Sequence, residues 1–165
     1  MEILYIGLTI LQSIAISLGV GSSTLAVVNF FVAIADGKID ETERKMMGIT
    51  YTLLRVAMVI IALTTLLLLV LIMSVSAAPG SFIMFQLTLI GILFLNALLM
   101  TKRIMPSTFG PAIQAGSWYT LGILLTLVPL GLTGLSLLQF GLMYSAIVLF
   151  GICVVNGMMA YLKKN

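Results

Sequence analysis

Four side chains have the type and spacing to do chemistry in an apolar medium: Asn29, Arg55, Asn96 and Asn156. Each asparagine stands six or seven residues before a charge or charged pair, namely Asp36, Lys102-Arg103 and Lys163-Lys164. At 1.5 Å per helical residue, this spacing sets all three amides about 10 Å inside one boundary. Arg55 enters from the same side, and Gln114, Ser117 and Tyr119 fall in the first turns of a later apolar stretch. An amide removed from water needs a partner, so these groups are expected to face the protein interior and one another. One chemistry that fits is interhelical hydrogen bonding, worth about 0.6 kcal/mol per group. The other is a ligand-binding pocket in which Arg55 meets an anionic or carbonyl group, with Asn29, Asn96, Tyr119 and Asn156 around it. Arg55 also fits a simpler role, because Val56 to Val75 supplies a full 20 apolar or uncharged residues and leaves the arginine free to snorkel to the interface. Gln12, Gln86 and Gln139 form a thinner polar layer nearer the opposite boundary.

Other chemistries lack their groups. There is no histidine and only one cysteine, Cys153, which removes the commonest metal ligand and proton shuttle and any intrachain disulfide. No carboxylate lies inside an apolar stretch, so neither paired-carboxylate catalysis nor an intramembrane proton relay is available. No nucleophile–base or phosphate-loop arrangement occurs. The eleven methionines scatter along the chain and read as apolar filler, not as a copper site. No catalytic residue, metal ligand or cofactor is expected.

The elements that position these residues follow from the scarcity of charge. Of 165 residues, 61% are hydrophobic and 8% charged, against about 25% charged in a soluble domain. Three long uncharged intervals result: Ile3 to Ala35 (33 residues), Val56 to Thr101 (46) and Ile104 to Leu162 (59). A crossing takes roughly 20 residues, so the first holds one span and the others two each. Ala78-Pro79-Gly80 divides the second interval and Pro129-Leu-Gly-Leu-Thr-Gly134 the third. The expected fold is an all-α polytopic bundle of five transmembrane helices, a single domain, with spans near 4–35, 48–76, 81–101, 111–128 and 135–162. Gly19-Val-Gly21-Ser-Ser23 marks a kink or a close packing site in the long first span. Pro111 suits the first turn of the fourth.

All eight lysines and arginines fall on one side of a five-span arrangement. By the positive-inside rule the N-terminus is then external and the C-terminus cytoplasmic. Met1 to Gln12 has no basic n-region and no small-residue cleavage signature, so it reads as a retained first span. The expected location is a bacterial-type plasma membrane. The expected partners are membrane lipids and a second copy or another membrane protein, with no nucleic acid.

The one polar segment, Asp36-Gly-Lys-Ile-Asp-Glu-Thr-Glu-Arg-Lys45, lies in the cytoplasmic connection 36–47. Gly37 suits a left-handed helix end, Asp40 a helix cap, and Glu43 the third position of a capping box. The string also resembles the second half of an EF-hand loop, but Val32 and Ile34 fall where the first two calcium ligands belong, so the oxygen cage is incomplete. It is similar as well to the turn of soluble tellurite-resistance-type helical domains over about ten residues. The first 75 residues or so, from span one through this string into span two, resemble the opening hairpin of small uncharacterised bacterial integral membrane proteins. Those in turn resemble membrane-bound haem-pathway oxidases of four or five helices, which implies a membrane bundle and a haem-linked activity. Such oxidases are expected to use histidine, and this sequence has none.

Weaker patterns complete the reading. Gly91-Ile-Leu-Phe-Leu-Asn96-Ala97 matches Gly151-Ile-Cys-Val-Val-Asn156-Gly157, as duplication of a hairpin or chance in an apolar alphabet produces. Trp118 and Tyr119 suit an aromatic anchor or pocket wall near the cytoplasmic interface. Gly116 with Thr120, and Gly141 with Ser145, have the spacing for close helix contact. The function classes in order are a small-solute, ion or lipid-interacting transport or channel bundle acting as an oligomer, a non-catalytic accessory subunit, and a haem-pathway-like oxidoreductase.

Overall fold

The computed structural model describes residues 2–35, 40–74, 80–102, 104–106 and 109–162. They form five α-helices: α1 Glu2–Ala35, α2 Glu41–Met73, α3 Ser81–Thr101, α4 Gly110–Leu127 and α5 Leu137–Leu162, with a short 3-10 turn at Leu132–Gly134. Four of them, all but α4, are long and apolar enough to cross a membrane, which suggests a membrane-embedded protein. Large apolar side chains cover the outside of the bundle; Leu63, Val70, Leu142, Leu149 and Phe150 are among those exposed. A hydrocarbon solvent accepts such a surface and water does not.

The helix ends follow local chemistry. Asp40 caps α2 in a complete box: the Glu43 N–H donates to Asp40 Oδ1 at 2.6 Å, and the Asp40 N–H donates to Glu43 Oε2 at 3.0 Å. The segment read as a connection over 36–47 is therefore helical from Glu41, and α2 begins seven residues before the expected apolar span. Lys45 pairs with Glu41 one turn away at 2.9 Å on this exposed first turn. Gly37 and Ala78-Pro79, expected at turns, lie outside the described residues. Gly80 is the extended residue before α3, and Pro111 sits in the first turn of α4. Between α4 and α5 the chain reverses through Gly131, whose φ of 70° is the left-handed conformation that favours glycine.

Gln139, expected in the second polar layer, instead belongs to a helix cap. Its Oε1 accepts from the Ser136 N–H at 2.9 Å, and its own N–H donates to Ser136 Oγ at 3.3 Å. The Ser-x-x-Gln spacing is that of a capping box, which explains the difference.

The core forms where apolar side chains recur at helical spacing. On α2 these are Leu54, Ala57, Met58 and Ile61; on α3, Phe85, Leu89, Ile90 and Leu93. Helix α4 packs on α1, α3 and α5, and nine of its residues are buried, from Gly110 to Leu124. Two of its buried hydroxyls are satisfied within the helix: that of Ser117 donates to Ile113 O and that of Thr120 to Gly116 O. A helix enclosed by its neighbours has no need of a uniformly apolar surface.

Helix α5 lies outermost, with only Phe140 and Val155 buried. Phe140 stacks on Phe85, centroids 5.1 Å apart, and meets Phe82 edge-on. Gly116 lets α4 and α5 approach closely: a Cβ there would stand 3.0 Å from the Val148 Cγ2 and 3.4 Å from its Cα, whereas one at Gly151 would make ordinary contact with Ala112, 3.7 Å from its Cβ. Gly141, the other expected contact glycine, has nothing within 4 Å.

Helix α1 is continuous through Gly19 and Gly21, so of the two expectations for that stretch the close packing site holds. A Cβ at Gly19 would fall inside the Trp118 ring, and Trp118 is wholly buried. This corrects the expectation of an interfacial anchor at Trp118. The glycine opens a slot in α1 that admits the indole into the core.

Candidate functional site

A cavity of about 320 Å3 opens at the end of the bundle that carries Arg44, Lys45 and Lys102, between α1, α2, α3 and α4. One face of α2 supplies Tyr51, Leu54, Arg55 and Met58, residues three and four apart that share a helix side. Opposite them stand Ser23 and Phe30 of α1, Met100 of α3 and Gln114 of α4. Among the described residues, Arg55 is the one charged residue on the wall. It is exposed at the mouth, and the described residues give it no ion-pair partner. A lone guanidinium over an otherwise neutral wall is a docking point for a carboxylate, phosphate or carbonyl oxygen.

Gln114 is fixed from behind by Asn96, which is 2% exposed. The Asn96 amide donates to Gln114 Oε1 at 3.1 Å and to Gly110 O at 3.0 Å. Receiving that bond turns the Gln114 amide nitrogen toward Met58 Sδ, 4.0 Å away. Asn96 Oδ1 is sealed without a partner. Asn96 therefore stands behind the wall and orients a wall residue.

The other expected site residues are elsewhere. Asn29 is half-buried on α1 and is not on the cavity wall. Tyr119 is 38% exposed, its hydroxyl 2.9 Å from that of Thr24 in a bond that ties α4 to α1. Asn156 is exposed on α5, a helix that lines no part of this cavity. The expectation that the three amides face one another is thus corrected. Equal depth places residues in one layer, but the angle about each helix axis decides which way they face: Asn96 is buried, Asn29 half-buried and Asn156 exposed. The matched segments around Asn96 and Asn156 accordingly occupy unlike environments, one buried and one exposed. Gln114 was visible in the sequence as a polar residue near the same boundary. Tyr51, Leu54 and Met58 were missed, although their spacing from Arg55 is the signal that finds them.

Beyond this cavity the core closes. Trp118, Ile61, Leu89 and Leu93 are all fully buried about two helical turns further in. Trp118 Nε1 has no hydrogen-bond partner. Past that plug the same four helices open again into a second cavity at the far end. No protein-family model, curated protein or solved structure matches this sequence.

Proposed function

We propose that this chain is a five-span integral membrane protein, N-terminus external and C-terminus cytoplasmic, that binds an anionic or carbonyl-bearing solute or lipid group in the Arg55 cavity as part of a transport-type cycle. The observation that carries this reading is the pair of cavities at opposite ends of the same four helices, separated by the Trp118 plug. Two vestibules on one path with a thin barrier are what a permeation or alternating-access device requires. Helix α4, at 18 residues, reaches about 27 Å, close to the hydrocarbon thickness. Its neighbours shield its polar side chains, so it serves as the fifth span.

Thiol accessibility tests the path. In a Cys153→Ala background, Gln114→Cys should react with a membrane-impermeant methanethiosulfonate reagent from the cytoplasmic side only, and Ser13→Cys from the external side only. Adding Trp118→Ala should make each reactive from both sides. A position 114 that never reacts from the cytoplasm would mean a cavity closed to water, and the pocket reading would fall.

A second reading, association with another copy or another membrane protein, is favoured by Asn156. An amide exposed on the outermost helix has no partner among the described residues, and a neighbouring helix supplies one.

A further inference from the structure

The second cavity, about 380 Å3, lies at the end opposite Arg55 and has no charged residue among the described residues of its wall. Its lining is mostly apolar, with Leu68, Ile72, Leu121 and Leu124 along its length. Into this apolar space three helices bring one polar cluster. Gln12 of α1, Thr65 of α2 and Gln86 of α3 are 8%, 2% and 6% exposed. Both glutamine amides donate to Thr65 Oγ1, at 2.8 Å from Gln12 and 3.3 Å from Gln86.

The hydrogen-bond count of this cluster does not close. Thr65 has a single hydroxyl proton, so at most one of the two amides can turn its oxygen to that hydroxyl. Whichever way the amides are oriented, at least one glutamine Oε1 has no partner among the described residues. Neither oxygen is among the sealed, unpartnered atoms of the protein, so each keeps access to the cavity that these side chains line. In the arrangement described, with both Thr65 lone pairs occupied, the Thr65 proton is also free of any acceptor. Two of the other hydroxyls on the wall, Thr9 and Ser13, donate to carbonyls of their own helix, Tyr5 O and Thr9 O, and no hydrogen bond joins any wall hydroxyl other than that of Thr65 to either glutamine among the described residues. Buried polar groups in such a setting call for a partner.

We propose that this cavity binds an uncharged amphiphile with a hydroxyl head, of the class of long-chain alkyl or prenyl alcohols. A hydroxyl is both donor and acceptor. It gives its proton to a free glutamine oxygen and takes the Thr65 proton, while the hydrocarbon body lies along Leu68, Ile72, Leu121 and Leu124. An ether of the same shape only accepts, and a carboxylate finds no countercharge on this wall. The site is separate from the Arg55 cavity and does not depend on what that cavity holds.

The test uses the full chain in phosphatidylcholine nanodiscs with three photoreactive probes: a C16 alcohol bearing a mid-chain diazirine, its methyl ether and the corresponding carboxylate. The alcohol should label α2 and α4 peptides around Leu68–Ile72 and Leu121–Leu124 at least tenfold more than the ether or the carboxylate, since a site built to hydrogen-bond a head group rejects the analogue that lacks the donor. Gln12→Leu combined with Gln86→Leu should lower alcohol labelling to the ether's level. Equal labelling by alcohol and ether would mean a gap filled by lipid tails and would overturn the proposal, as would full alcohol labelling of the folded double variant. If the double variant fails to fold, the comparison of probes on the unaltered protein still decides.

Discussion

Gly19 and Trp118 show how one residue type on one helix sets what another helix can bury. The indole lies where a side chain at position 19 would be, and the core around it admits no water, since Trp118, Ile61, Leu89 and Leu93 are fully buried. Overpacking a core of this kind costs about 1 to 3 kcal/mol. Gly21, two residues along the same helix, has nothing within 4 Å of an added Cβ. Gly19→Leu should therefore lower thermal stability in detergent by an amount in that range while Gly21→Leu leaves it nearly unchanged. Combining Gly19→Leu with Trp118→Ala should recover part of the loss. Equal effects at 19 and 21 would show that the slot is not what seats the indole. Asn96 makes a different point at the same scale. It holds Gln114 with its amide nitrogen while its own oxygen stays unpartnered, so the desolvation of that oxygen offsets part of what its bonds contribute.

At the scale of the element, α2 is two things in sequence: a polar, capped first turn outside the apolar stretch and a long apolar helix behind it. The Asp40–Glu43 box satisfies amide groups that would otherwise be open at the helix start, and the two glutamates of the first turn complement the helix dipole. Asp40→Ala should destabilise this end by about 1 kcal/mol. Hydrogen exchange of the amides from Glu41 to Lys45 should accelerate correspondingly while those around Ile61 stay protected. Unchanged exchange at 41–45 would mean that packing, not the cap, holds the first turn. Helix α4 is the complementary case. It is the shortest of the five and half of its residues are buried by its neighbours, so enclosure rather than hydropathy is what makes it a core helix.

At the scale of the molecule, antiparallel packing brings the C-terminal end of α1, the N-terminal end of α2, the C-terminal end of α3 and the N-terminal end of α4 to one face, where the Arg55 cavity opens. Arg44, Lys45, Arg55 and Lys102 all belong to that end, and on the proposed topology the positive-inside rule makes it the cytoplasmic face. A reporter fused after Asn165 should be active in the cytoplasm and one fused before Met1 should be external. An external C-terminal reporter would remove one span from the proposed topology, and α4 would be the span to remove.

The sequence by itself determined the helices. Sparse charge marked the apolar intervals, Pro-Leu-Gly-Leu-Thr-Gly marked the reversal between α4 and α5, and Asp-x-x-Glu marked the start of α2, because each of these signals is local in the chain. It also gave the position of each polar residue along its helix, since rise per residue is fixed. What it did not contain was rotation. Whether Asn29, Asn96 and Asn156 meet depends on how each helix turns its faces to its neighbours, and that is decided by side chains far apart in sequence, such as Gly19 against Trp118 and Gly116 against Val148. The tertiary structure alone sent Asn156 outward, set Asn96 behind Gln114, and drew Gln12, Thr65 and Gln86 from three helices onto a single hydroxyl.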